Sequence, residues 1–147
     1  EVWQETGETI TAHNLRTQSI PPKYEPLWIG LDYVNRQDLY DRIDLRVELM
    51  VKEGLLDEIR DILNSGIPEK ATAMQAIGYK EFIDAMAGRS RLEEAIAQVQ
   101  QSSRRYAKRQ QTWFKRNEKI HWLLREKGQS AEEIFSAAFQ LARNFDK

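Results

Sequence analysis

Apolar residues along this 147-residue chain recur mainly at spacings of three and four, the period of helices with one face turned inward. The clearest case is 35–54, where Leu39, Ile43, Val47, Met50 and Val51 form one stripe, with Asn35 or Asp38 as the cap and Gly54 at the end. A short helix follows over 55–66, then an irregular stretch, "IPEKATAMQAIG", and another short helix, "YKEFIDAMAG", closed by Gly88. Ser90-Arg-Leu-Glu93 has the spacing of a capping box and opens a long helix to about Asn117, with Leu92, Ile96, Val99, Tyr106 and Trp113 as its stripe. Ser130-x-x-Glu133 opens a last helix to about Asn144. Residues 1–17 read as a helix end, Gly7 and a short helix, followed by the Pro-rich connector "TQSIPPKYEP". Two stretches break the helical period, "LWIGLDY" (27–33) and "IHWLL" (120–124), and read as short strands. The fold class is mostly α with two short strands. Two strands make a marginal sheet, so each is expected to need a partner outside the chain.

The composition is that of a folded domain: 41% hydrophobic and 10% aromatic residues place it far from disordered chains. No apolar run reaches the ~18 residues a membrane span requires, and "EVWQETGETI" has neither the basic start nor the apolar centre of a signal peptide. The absence of Cys excludes disulfides and thiolate metal sites, and fits a reducing, cytoplasmic setting. His13 and His121 lie far apart and in no metal-type spacing, so a loop or helix-end role and an exposed strand position are expected for them. The chain opens without Met, on what reads as the tail of a helix, which suggests a fragment.

Charge changes the picture. Residues 102–120 hold seven Lys/Arg against the single acid Glu118, a balance of +6. Removing those from totals of 22 basic and 23 acidic residues leaves 15 against 22, or −7, so the net charge of −1 conceals a polarised molecule. On a helical wheel, Val99, Ser103, Tyr106, Gln110 and Trp113 fall on one side, expected to face the core. Arg105, Arg109, Thr112 and Arg116 form a row on one flank, and Arg104, Lys108, Gln111 and Lys115 a second row opposite the core. A solvated helix end explains one or two cations, which suit the negative end of the dipole. It does not explain six, because like charges four apart cost roughly 0.2–0.5 kcal/mol per pair. A polyanion that relieves this repulsion is the better account. Arg42 and Arg46, four apart on one helix face, have guanidinium forks that suit pyrophosphate oxygens; an Asp38–Arg42 surface pair with Arg46 solvated is the plain alternative.

"RRYAKRQQTWFKR" together with "AIGYKEF", "EVWQETG" and "LYDRIDLRVELMVKEGLLDEI", in this order and over nearly the whole chain, resembles the C-terminal half of tRNA dimethylallyltransferases (tRNA isopentenyltransferases) of bacterial type. The resemblance implies the C-terminal part of an α/β P-loop-NTPase-like core. It implies transfer of a dimethylallyl group from dimethylallyl pyrophosphate to N6 of the adenosine 3′ of the anticodon, with that base flipped into a reaction tunnel. By the same resemblance Lys108, Arg109, Gln110, Thr112, Trp113 and Lys115 contact the tRNA, with Arg105 and Arg116 beside them. Gln75, Gly78, Tyr79 and Lys80 border the tRNA site, and Arg42, with Arg46, lies on the pyrophosphate side. For Gly78 a helix entry needing an unusual backbone angle is an equal reading, and Tyr79 reads equally well as core.

No G-x-x-x-x-G-K-[ST] loop is present, and nothing matches the family's general-base Asp, so no catalytic residue is carried over and the isolated segment is expected to be inactive. Mg²⁺ is implied for the intact enzyme but not as a ligand of this segment alone. The implied partners are the tRNA anticodon arm, dimethylallyl pyrophosphate and the N-terminal half of the same protein, in a cytoplasmic monomer away from membranes. A non-catalytic helical module that binds RNA or protein is the alternative function, and a purely structural domain a third.

Overall fold

In the computed structural model, residues 2–145 are described; Glu1, which begins the "EVWQETG" stretch, and residues 146–147 lie outside them. The order is α1 (Val2–Thr6), α2 (Ile10–Gln18), β1 (Trp28–Tyr33), α3 (Arg36–Lys52), α4 (Leu55–Asn64), a 3-10 turn (Thr72–Gln75), α5 (Tyr79–Met86), α6 (Leu92–Phe114), β2 (Ile120–Arg125) and α7 (Ala131–Phe145). Helices dominate, with two short strands, as the hydrophobic pattern predicts.

The strands are each other's partner. β1 and β2 pair in parallel, with Trp28 opposite Ile120 and Tyr33 opposite Arg125, so neither needs a strand outside the chain to pair at all. Sequence reading could not foresee this, because the partners are separated by most of the helices. Gly30 sits opposite Trp122, and a Cβ there would lie 2.7 Å from the Trp122 ring and from Ile120 Cγ2. The indole lies across the neighbouring strand only because Gly30 has no side chain. Gly30→Ala should therefore overpack the pair and cost about 1–3 kcal/mol, read as a lower denaturation midpoint of the full-length protein.

The core lies under the first half of α6. Val47 of α3, Ile59 of α4, Met74 of the 3-10 turn, Phe82 and Ile83 of α5, and Ala95 and Val99 of α6 form one buried cluster. The predicted α3 stripe is confirmed, with Val47 buried and Leu39, Ile43, Met50 and Val51 half-buried around it. The α6 stripe is correct only at Ile96 and Val99, which face inward; Leu92 before them and Tyr106 and Trp113 after them are exposed.

Caps follow the sequence with one shift. Asn35 accepts the Gln37 N–H at 2.9 Å at the start of α3. Ser130 and Glu133 cap α7 reciprocally, at 2.7 and 3.2 Å, and the hydrogen bonds from Ser130 hold the Glu133 carboxyl below the usual range. At α6 the cap is Arg91, not Ser90, because Arg91 is the last residue with extended backbone; its N–H donates to Glu94, not Glu93, at 3.1 Å. Among the described residues no helix is long and apolar enough to cross a membrane.

Candidate nucleic-acid interface

The second half of α6 leaves the core and is held by charge. Arg104, read from the wheel as pointing away from the protein, is ion-paired with Asp44 of α3, both half-buried. One turn earlier, Gln100 donates to the Asp44 carbonyl at 3.2 Å. Gln111 and Lys115, from the same row, both reach Asp32 of β1, the Lys115 ammonium at 3.0 Å. The row predicted to lie opposite the core is thus largely the docking seam of this helix. The wheel failed because it places the inward face by apolar residues, and here the inward face is polar.

Turning that seam inward turns Tyr106, Gln110 and Trp113 of the predicted core row outward, while Val99 stays buried. Trp113 is 65% exposed and Tyr106 is 49% exposed. Trp113 meets Phe114 edge-on, with ring centroids 4.9 Å apart, and the Arg109 guanidinium lies 5.8 Å from the Tyr106 ring centroid. Arg105, Lys108, Arg109, Thr112, Trp113 and Arg116 line one open depression of about 550 Å³. Six of the residues singled out in the sequence therefore share one surface. Its four cations have no acid within ion-pair distance among the described residues, so their mutual repulsion is not relieved by the protein itself. Thr112 donates its hydroxyl to the Lys108 carbonyl at 3.0 Å, which leaves the hydroxyl oxygen able to accept.

Arg109 also edges a second, larger groove of about 740 Å³ between α3, α6 and the turn before α5. Leu39, Ile43, Met50 and Leu55 give it an apolar floor, and Arg46, Gln75, Gly78 and Gln110 stand at its polar side. Gly78 has φ +102°, a backbone that side chains rarely adopt, and with nothing near a would-be Cβ the requirement is conformational rather than spatial. Its N–H donates to Glu81 at 3.0 Å, so Gly78 is the helix-entry residue of α5 as well as groove lining. Gln75 donates its amide to the Glu69 carbonyl at 3.0 Å.

Tyr79 points elsewhere. Its hydroxyl donates to Glu58 of α4, and that hydrogen bond, with burial and the carboxylate charge, raises its pKa above the ordinary tyrosine value. Lys80 is exposed on α5 and outside the groove lining. Arg42 and Arg46 do not converge: Arg46 faces the groove, whereas Arg42 lines a separate depression at the carboxyl ends of both strands, where Arg125 and Lys127 stand among the acids Asp38, Asp41 and Glu126. Neither arginine is in an ion pair among the described residues, so the Asp38–Arg42 pair is not formed. No group of three or more His, Cys, Asp or Glu side chains suited to a metal ion is found among the described residues.

Sequence reasoning missed Asp32 and Asp44. A signal for Asp32 was available: a carboxylate in the middle of the apolar run "LWIGLDY" demands a partner.

Comparison with known proteins gives the family and the fold. The family model described as IPP transferase matches residues 1–117. The tRNA dimethylallyltransferase of Thermoanaerobacter sp. (strain X514) is 42% identical over 135 residues, covering 91% of this chain and 43% of that protein. That of Halothermothrix orenii is 39% identical over 145 residues, 99% of this chain and 44% of that protein. Among solved structures, the tRNA delta(2)-isopentenylpyrophosphate transferase of Staphylococcus epidermidis superposes with a TM-score of 0.76 at 32% identity, over 99% of this chain and 46% of that one. The full-length tRNA isopentenylpyrophosphate transferase of Bacillus halodurans gives 0.75 at 33% identity, over 99% and 51%. The chain thus spans about half the length of these relatives or somewhat less. With a family model covering most of its length and solved relatives sharing its fold, the chain belongs to the IPP transferase family.

Proposed function

We propose that this chain is the tRNA-gripping portion of a dimethylallyltransferase acting on N6 of the adenosine 3′ of the anticodon. The observation that carries the reading is the depression in which Arg105, Lys108, Arg109 and Arg116 stand unneutralised beside Thr112 and an exposed Trp113. Such a surface suits a phosphate backbone with an unpaired base lying on the indole. The apolar groove that shares Arg109 is the tunnel wall toward which the target base is flipped, since its exocyclic amine is out of reach while stacked. Gln75, Gly78 and Gln110 border that groove, Tyr79 and Lys80 follow directly on Gly78, and Lys115 closes the helix beside the basic depression.

The amine attacks the allylic carbon as the pyrophosphate leaves. Arg42, at the carboxyl ends of two parallel strands, lies where α/β folds place phosphates, and is assigned to the pyrophosphate side; Arg46 faces the tunnel from the same helix. Mg²⁺ would balance the leaving group's charge, but no residue of this chain is assigned to it and no step is derived through it. The P-loop and the general base belong to the N-terminal half of the family fold, whose strands would add to the open edges of β1 and β2. The protein is read as a cytoplasmic monomer.

The test is transfer of a labelled dimethylallyl group from its pyrophosphate to tRNA. The full-length protein should transfer it and the 147-residue segment alone should not. Turnover by the segment would overturn the assignment of chemistry to the other half, and no transfer by the full-length protein would overturn the enzymatic reading. Trp113→Ala should weaken tRNA binding by about 1–3 kcal/mol through lost stacking, with an unchanged salt slope because no cation is removed; a salt titration of the variant checks both.

A further inference from the structure

We infer that Asp32 is a positioning residue for the basic helix: through Gln111 and Lys115 it fixes the last turns of α6, so that Lys115 holds the helix instead of a phosphate. This rests on the reading that α6 grips tRNA.

Asp32 is the one buried charged residue among the described residues, 7% exposed. Its Oδ1 accepts the Tyr33 N–H at 2.8 Å and also the Gln111 amide, and its Oδ2 meets the Lys115 ammonium at 3.0 Å. The same ammonium lies 5.8 Å from the Trp122 ring centroid, so Lys115 is drawn to the sheet by a carboxylate and an indole face together. A buried carboxylate left without partners is strongly unfavourable, which makes this contact hard to break.

The need for it comes from the helix itself. Beyond Val99, α6 places no fully buried residue in the core, and Tyr106, Trp113 and Phe114 are all exposed. Its outer row carries Arg105, Lys108, Arg109 and Arg116 without acids between them. With little apolar anchoring and mutual repulsion, the angle of this half is set by two acidic clasps, Asp44 on Arg104 and Asp32 on Gln111 and Lys115. Asp32 is the outer of the two, and it belongs to β1, which gives the gripping row a fixed relation to the sheet.

The experiment uses the full-length protein and tRNA, with affinity measured across a salt series and amide exchange followed along α6 without RNA. Asp32→Ala should weaken binding by roughly tenfold with the wild-type salt slope, because the phosphate contacts survive in a misplaced helix. Lys115→Met should also leave the slope unchanged, Lys115→Arg should restore affinity, and Arg109→Ala should lower affinity and slope together. In RNA-free protein, Asp32→Ala should speed amide exchange over residues 108–115 and spare 92–100. The isosteric Asp32→Asn, which still accepts from Gln111, should fall between wild type and Asp32→Ala, and it separates the clasp from any failure of Asp32→Ala to fold. Unchanged affinity and exchange in both Asp32 variants would overturn the inference, and so would a drop in slope by one contact in Lys115→Met. Failure of the wild-type protein to bind tRNA would instead overturn the functional reading, while the exchange measurement still decides whether Asp32 holds the helix.

Discussion

Replacing Arg105, Lys108, Arg109 and Arg116 together by Ala in the full-length protein is expected to lower the log–log salt slope of tRNA binding by about three, at roughly 0.7–0.9 per phosphate contact. At low salt the affinity should fall by about 10²–10³-fold, and the difference from wild type should shrink as salt rises, because screening removes what the substitution removes. Fold stability should hold or rise slightly. These cations oppose one another along the helix and pair with no acid among the described residues, so their loss relieves repulsion. A structural role for the same side chains predicts the reverse, with stability lost and the slope kept. The measurement is a fluorescence titration at several salt concentrations beside a urea melt.

Phe82→Ala should act in the opposite manner. Phe82 is the largest fully buried side chain, at the meeting of α3, α4, the 3-10 turn, α5 and α6. Emptying that position should cost about 3–5 kcal/mol, a large share of the ~5–15 kcal/mol that holds a typical domain. It should appear as a lower urea midpoint with an unchanged m-value. Phe82 has no exposed surface, so transfer should fall only as far as the fold is lost, while the salt slope of binding, set by the number of α6 cations, stays at its wild-type value.

What was legible in the sequence was whatever apolar periodicity decides. The α3 stripe ending in Val51 and the closing cap at Ser130 were read to within a residue or two, as was the extent of both strands. The basic residues of the α6 depression were also legible, because charge segregation shows in a count. Orientation was not. On α6 the wheel assigned Tyr106 and Trp113 to the core and Arg104 and Lys115 to the side opposite it; the structure exposes the first two and pairs the other two with acids of α3 and β1. The inward face of that half is made by Asp32 and Asp44, which belong to distant segments, and no local pattern states which cation an acid will meet. The pairing of β1 with β2 was hidden for the same reason, since a parallel register between remote strands depends on everything folded between them. Arg42 and Arg46 show a finer limit: helical spacing puts them on one side of α3, but the side is broad enough to border two depressions.

The outward turn of Trp113 matters for function because two sequence arguments disagree about this residue. The stripe made Trp113 a core residue, whereas the motif made it a neighbour of RNA; an indole 65% exposed beside four free cations supports the second. The most direct test places a photoreactive benzoylphenylalanine at position 113 of the full-length protein, irradiates its complex with tRNA and maps the crosslinked nucleotide. The account predicts crosslinks confined to the anticodon arm, close to the modified adenosine. Crosslinks to the acceptor or T arm, or none under conditions where the complex forms, would contradict it.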